Sequence, residues 1–165
     1  MTGKSDISEL IEKVATEREI PWDKTGPDAY VLTLPGTHKQ KTNCNLIVGE
    51  HAVRIEAFVM RHPEENREAL WEWLLQRNAR MYGVAFSVDA NGDIYLVGRL
   101  PLHAVTEDEL DRLLGAVLTY ADESFDPMLQ IGFGSAIRRE WEWRVKRGEP
   151  LDNLRAFRDF VNRAG

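Results

Sequence analysis

The stretch Lys41–Met60, KTNCNLIVGEHAVRIEAFVM, constrains the fold of this chain more than any other. Two runs of alternating character, Lys41–Val48 and Ala52–Met60, meet at Gly49-Glu50, and glycine in first place suits a tight turn between antiparallel strands. Successive strand side chains point to opposite faces, so Val53, Ile55, Ala57 and Val59 share one face. Arg54 and Glu56 open the other face, and Phe58 and Met60 continue it, so the far end is expected to be covered on both sides. A hairpin with one apolar face needs helices packed on it, which points to an α+β fold.

The rest of the chain supplies those partners. Tyr30–Leu34, closed by Pro35-Gly36, reads as a preceding strand. Gly83–Val88 and Ile94–Leu100 read as two more, joined at Asn91-Gly92, a strong hairpin signal. Ser5–Glu19 carries Ile7, Leu10, Ile11 and Val14 at helical spacing, with Ser5 or Asp6 able to cap it. IPWDKTGPD then reads as a break. RHPEEN opens a second helix with Pro63 near its first turn and two glutamates at its positive end, running to about Arg80. Thr106-Glu107-Asp108-Glu109 is a capping box into a third, which carries Leu110, Leu113, Leu114, Val117 and Leu118. Asp126-Pro127 starts a further helical segment reaching about Lys146, before Gly148 and Pro150 break it. The tail, Leu151–Ala164, reads as an amphipathic helix with Leu154, Phe157, Phe160 and Val161 on one side. The expected order is αβββαββα plus C-terminal helices. That is an antiparallel sheet of about five strands flanked by helices, in a single domain 1–165 with 149–165 as a tail helix.

Composition excludes several classes. A net charge of -6 disfavours bulk attraction to nucleic acid or membrane. No apolar run approaches the ~20 residues needed to span a bilayer, and MTGKSDISEL has no apolar signal core, so a cytoplasmic protein is expected. The single cysteine, Cys44, permits no internal disulfide and reads as a buried thiol.

Catalytic and metal patterns are absent from the sequence. His38, His51, His62 and His103 show no metal-ligand spacing, and no metal or cofactor is expected. DANGD, Asp89–Asp93, fails as a calcium loop because its glycine is misplaced and Leu100 stands where the bidentate glutamate belongs. GFGS, Gly132–Ser135, follows no strand and lacks the remainder of a phosphate cradle. No serine sits in a nucleophile-elbow pattern.

The tripeptide WEW occurs twice, in REALWEWLLQRN and in IRREWEWRVKRG. Residues two apart on a helix lie ~200° apart, so the tryptophans of one pair cannot share a face. Trp71 falls in the stripe of Leu70, Leu74, Asn78 and Met81, and Trp141 in that of Phe133, Ile137 and Val145, so both are expected in the core. Trp73 and Trp143 fall outside and either cover a sheet edge or loop or belong to a subunit or partner surface. Arg138, Arg139, Arg144, Lys146 and Arg147 crowd the second WEW, interleaved with Glu140 and Glu142. The cluster suits an acidic partner or a solvated face, with nucleic acid as the alternative occupant.

AFVMRHPEENREALWEWLLQRNARMYGVAFSVDANGDIYLVGRLPL, Ala57–Leu102, resembles the actinobacterial branch of the YbjN-domain family, and IRREWEWRVKRGE matches its downstream signature. The resemblance implies a fold like that of type III secretion chaperones, usually homodimeric, and a role described as sensory transduction regulation. Secretion chaperones bind extended client segments along apolar grooves. On this reading the chain is a non-enzymatic homodimer that binds an unknown protein client, chaperone-like or adaptor-like. Trp73, Trp143, Arg138 and Arg139 are the candidate contact residues. Alternatives are a regulator that contacts nucleic acid through residues 138–147, or a small-molecule-binding protein. Arg61, Asn66 and Asn78 are expected to tie helix ends to strands. Gly98 is expected at a bulge or a close approach of another chain, and Arg99 beside it is expected to pair with a carboxylate. These five are candidate dimer or structural positions.

Overall fold

The computed structural model of the chain describes residues 3–163. Its elements are α1 (Lys4–Glu17), β1 (Trp22–Gly26), β2 (Ala29–Pro35), β3 (Lys41–Val48), β4 (Ala52–Met60), α2 (Arg67–Asn78), β5 (Ala85–Val88), β6 (Ile94–Pro101), α3 (Glu107–Arg147) and α4 (Arg158–Asn162). Short 3-10 turns cover Leu102–Ala104 and Asp152–Phe157. The strands form one antiparallel sheet in the order β1-β2-β3-β4-β6-β5. The fold is α+β, as the alternating runs imply.

Six strands replace the expected five. WDKTG, read as part of a break, pairs with β2 as an edge strand, with Trp22 opposite Leu32. Its run has no apolar face to signal a strand: only Trp22 and Gly26 are even half-buried.

Burial alternates strictly along β2, β3 and most of β4. Tyr30, Leu32, Leu34, Cys44, Leu46, Val48, Val53, Ile55, Ala57, Ile94 and Leu96 form one buried face, packed with Ile7, Ile11 and Val14 of α1, Leu70 and Leu74 of α2 and Leu110, Leu113, Leu114 and Val117 of α3. The helices that flank the sheet therefore share one of its faces. The opposite face leaves Asn43, Arg54, Phe58, Ser87 and Arg99 exposed. At its far end β4 is buried at both Val59 and Met60, where its pairing with β6 slips by one residue. Cys44 is fully buried, and burial pushes its thiol up to about 12, so it is an inert core residue near neutrality.

The two helical segments expected after Thr106 follow one another directly as the two halves of α3, which is started by a hydrogen bond from the Glu109 N–H to the Thr106 hydroxyl. Pro127 lies inside it, and the break falls instead at Phe133 (φ −138°, ψ 20°). The tail is a 3-10 turn followed by the five-residue α4, in place of one long amphipathic helix; Ala164 lies outside the described residues. Phe157 is buried, and the tail packs back on α3 of its own chain.

Gly98 marks a close approach within the chain: a Cβ there would lie 2.4 Å from the Gly83 carbonyl oxygen and 3.0 Å from Val84. The pairing of Ile55 with Gly98 is regular, so no bulge is involved. Gly98→Ala is expected to destabilise the chain by about 1–3 kcal/mol, because backbone must shift to admit the methyl. Urea unfolding should show a lower midpoint with an unchanged slope.

Candidate functional site

Two features stand out from the scaffold: an apolar groove between α2 and β5, and a projecting arm at the end of α3.

The groove begins with how α2 is anchored. Leu70 and Leu74 are buried against the core, one turn apart on one side of the helix. At its C-terminus the Asn78 side chain accepts from the Phe86 N–H at 2.7 Å and donates to the Phe86 carbonyl at 3.1 Å. The helix end is thereby fixed beside β5, the outermost strand on that side. Between them lies a groove of about 340 Å³ lined by Trp71, Leu74, Leu75, Phe86, Ser87 and Val88. Leu75 is 68% exposed and Val88 44%. None of the lining side chains titrates near neutrality, so the groove can offer apolar contact but no acid–base or metal chemistry. Because Asn78 already fills both backbone bonds of Phe86, a ligand here would be held by side-chain burial more than by an added ladder of backbone bonds.

The arm exists because α3 outgrows the sheet. Its 41 residues are broken at Phe133, and the stretch after the break runs on past the residues that pack into the sheet's core. The last turns have no sheet beneath them. Trp141, expected in the core, is only half-buried and stands outside the core cluster. With Val145 it lines an open depression of about 380 Å³. Trp143 is 46% exposed and carries the Arg147 guanidinium 4.8 Å above its ring. Arg144 pairs with Glu140 at 2.6 Å, and Arg138 stacks on Phe160 of the tail at 4.1 Å. Arg139 is exposed. Of the first WEW, Trp71 lines the groove, while Trp73 is half-buried against the core with Arg77 stacked 4.4 Å from its ring. The expected contact residues thus divide between two elements, with Trp73 on α2 and Trp143, Arg138 and Arg139 on the arm.

The direction of the arm is set by the segment Pro63–Asn66. Expected as the first turn of α2, it lies ahead of that helix and caps the break in α3 from both sides. The Glu64 and Glu65 N–H groups donate to the Gly132 carbonyl at 3.0 and 3.2 Å, and the Asn66 amide donates to the Ile131 carbonyl at 3.0 Å. The Glu65 carboxylate then accepts from the Ser135 N–H at 2.6 Å and the Ser135 hydroxyl at 2.7 Å. One loop satisfies the last carbonyls of the first half and the first free N–H of the second. Asn66, expected to join a helix end to a strand, therefore joins α2 to α3 and adopts a left-handed conformation to do so (φ 52°). Arg61 stacks on Phe133 at the break, 4.3 Å from its ring, and pairs with Glu64 at 2.9 Å.

Two of the four histidines tie loops down. The His38 ring contacts Asp126 at 2.7 Å, and the His62 ring and N–H contact Asp93 at 3.1 and 2.8 Å. Among the described residues no group of three or more His, Cys, Asp or Glu side chains is placed to hold a metal ion, and no helix is long and apolar enough to cross a membrane.

A family model described as "Putative bacterial sensory transduction regulator" matches residues 8–130. The chain belongs to the YbjN family. It is 56% identical over 131 residues to the uncharacterised protein Rv0487 of Mycobacterium tuberculosis, covering 79% of this chain and 72% of that one. It is 48% identical over 135 residues to the uncharacterised protein ML2442 of Mycobacterium leprae, covering 82% and 73%. In fold, this YbjN protein is similar to a chain of the ExsC–ExsE complex, with a TM-score of 0.57, 16% identity and coverage of 76% of this chain and 96% of that chain. It is also similar to a chain of the structure of the Yersinia pestis type III secretion chaperone SycH with a fragment of YscM2, with a TM-score of 0.50, 15% identity and coverage of 70% and 96%. The fold is that of the type III secretion chaperones. The YbjN match ends before the break in α3, so the arm and tail are additions to the matched region.

Sequence reasoning missed Leu75, Val88 and Glu65. A signal for Leu75 was present: Leu74 and Leu75 are adjacent, ~100° apart on a helix, and one narrow stripe cannot bury both. The role of Glu65 had no local signal, because its partner Ser135 is 70 residues away.

The Ser135 N–H, and then its hydroxyl, hold the Glu65 carboxyl below the usual carboxylate range. A lowered folded pKa contributes stability that is present above the unfolded value of about 4.3 and is lost as pH falls through the folded one. Glu65→Gln is expected to cost about 1 kcal/mol at pH 7 and to flatten the pH dependence of unfolding below that range. Thermal melts of both proteins from pH 3 to 7 would check this.

Proposed function

We propose that this YbjN protein is a non-enzymatic protein-binding module, chaperone-like or adaptor-like, which works as a homodimer and holds a segment of a client protein. The observation that carries the reading is the groove between α2 and β5: apolar, open, and lined by no ionisable side chain. Leu75 and Val88 stand exposed at its walls, where a monomer gains nothing from them and a partner's apolar side chains would be buried. The fold neighbours support this reading, since ExsC and SycH are each seen in complex with another protein. Trp143 on the arm, with Arg138 and Arg139, supplies a second, basic contact for the same client, while Trp73 steadies the helix that forms the groove.

The regulator reading through nucleic acid is less favoured. Arg147 covers the Trp143 ring that a base would stack on, and Glu140 engages Arg144.

The test is a pair of variants, Leu75→Glu and Trp143→Ser, each checked for folding by circular dichroism and for mass by light scattering. Both should remain folded dimers. Leu75→Glu should lose client recovered from cell extract by about ten-fold or more, the scale of one buried anchor, and Trp143→Ser should weaken it less. Unchanged client recovery by Leu75→Glu would remove the groove from client binding. A halved mass for the same variant would make the groove the seam between copies instead.

A further inference from the structure

The open face of the sheet holds an arrangement that the groove and arm do not explain. Arg54 of β4 stands directly opposite Arg99 of β6 in the ladder, and on the next rung Glu56 stands opposite Val97. Residues paired across antiparallel strands have their Cβ atoms about 5 Å apart, and like charges placed so are destabilising. Glu56 pairs with Arg54, its neighbour on the same face of the same strand. Arg99 is exposed, and among the described residues no carboxylate lies within ion-pair distance of it. The carboxylate expected to pair with Arg99 is thus not supplied by the described chain, which places a second arginine there.

Together Arg54, Glu56, Val97, Gly98 and Arg99 line an open cleft of about 390 Å³. It carries two guanidinium groups and one carboxylate, a local excess of one positive charge on a chain whose net charge is -6. The planar N–H forks of two neighbouring arginines match the oxygens of a carboxylate or a phosphate, and each fork can bind two of them at once. Val97 provides an apolar wall at the end of the cleft away from the arginines. Glu56 restricts the occupant to a compact anion, since an extended polyanion would run against it.

We propose that Arg54 and Arg99 form a binding site for a small oxyanion, a free molecule carrying a carboxylate or phosphate group, on the sheet face opposite the helices. The anion neutralises the like-charged pair, with Arg99 as the principal contact and Glu56 holding Arg54 in position. The cleft shares no lining residue with the groove between α2 and β5.

The test uses the full chain and two probes, inorganic phosphate and succinate, at ionic strength held constant with sodium chloride. Nε–Hε resonances of the arginines are followed by NMR, and melting temperature is measured in parallel. Saturable shifts at Arg54 and Arg99 with at least one probe are expected, weakened by about ten-fold or more in Arg99→Gln and in Arg54→Gln, the scale of a lost charge-assisted bond. Arg139→Gln serves as the surface control and should bind as the parent does. Without anion, Arg99→Gln should melt higher than the parent, because the repulsion is gone, and its melting temperature should no longer respond to the probe. Three results would each overturn the proposal: shifts that rise without saturation for both probes, binding unchanged in Arg99→Gln, or an anion-free Arg99→Gln that melts lower than the parent. The first two leave only nonspecific charge screening, and the third makes Arg99 a structural residue.

Discussion

Everything in this molecule hangs on the burial of one apolar sheet face by one helix. Leu110, Leu113, Leu114 and Val117 of α3 meet Leu46, Val53, Ile55 and Leu100 of β3, β4 and β6, with a gap of only about 10 Å³ between them. Each such side chain taken fully out of water contributes about 1.5–3 kcal/mol. The contact joins strands distant in sequence and leaves α1 and α2 to cover what remains on either side. Ion pairs to α3 from α1 and the residue that follows it, Lys13 with Glu107 at 3.3 Å and Arg18 with Asp111 at 2.8 Å, are exposed and add little beside it. With one layer of helices spent on one face, the other face is left to polar and charged side chains.

The core strands were legible because their burial is one-sided, and one-sided burial writes itself as period two. β3 and β4 and their turn follow from that pattern, as does the hairpin at Gly92, whose φ of +82° is of the kind glycine adopts freely. β1 was not legible, because an edge strand lying mostly outside the core needs no apolar alternation. The passage of α3 through Pro127 was hidden, since a proline inside a helix costs about 3 kcal/mol and reads as a start or a stop. The true break sits six residues later, between Gly132 and Gly134. Pro63 and Phe160 approach so closely there that a Cβ at either glycine would meet them at 2.9 Å.

The candidate surfaces were legible only in part, for a related reason. Helical angles separate the two sides of a helix but do not say where its support ends. Trp71 and Trp141 occupy equivalent places in their stripes, yet only Trp71 packs against the core cluster, because the sheet runs out beneath α3 before Trp141 is reached. Glu64, Glu65 and Asn66 looked like the opening of α2 because glutamates favour helix starts. The helix end that Glu65 serves is the one at Ser135, and a contact of that range is visible only once the chain has folded.

The Asn78 side chain has a consequence beyond holding α2 in place. By occupying both backbone groups of Phe86 it does what a neighbouring strand would do, but its own chain cannot continue the ladder. The sheet is terminated at the border that carries the apolar groove. A molecule can therefore keep a sticky groove open without offering an adjacent template for edge-to-edge stacking, the route by which exposed strands grow into fibrils.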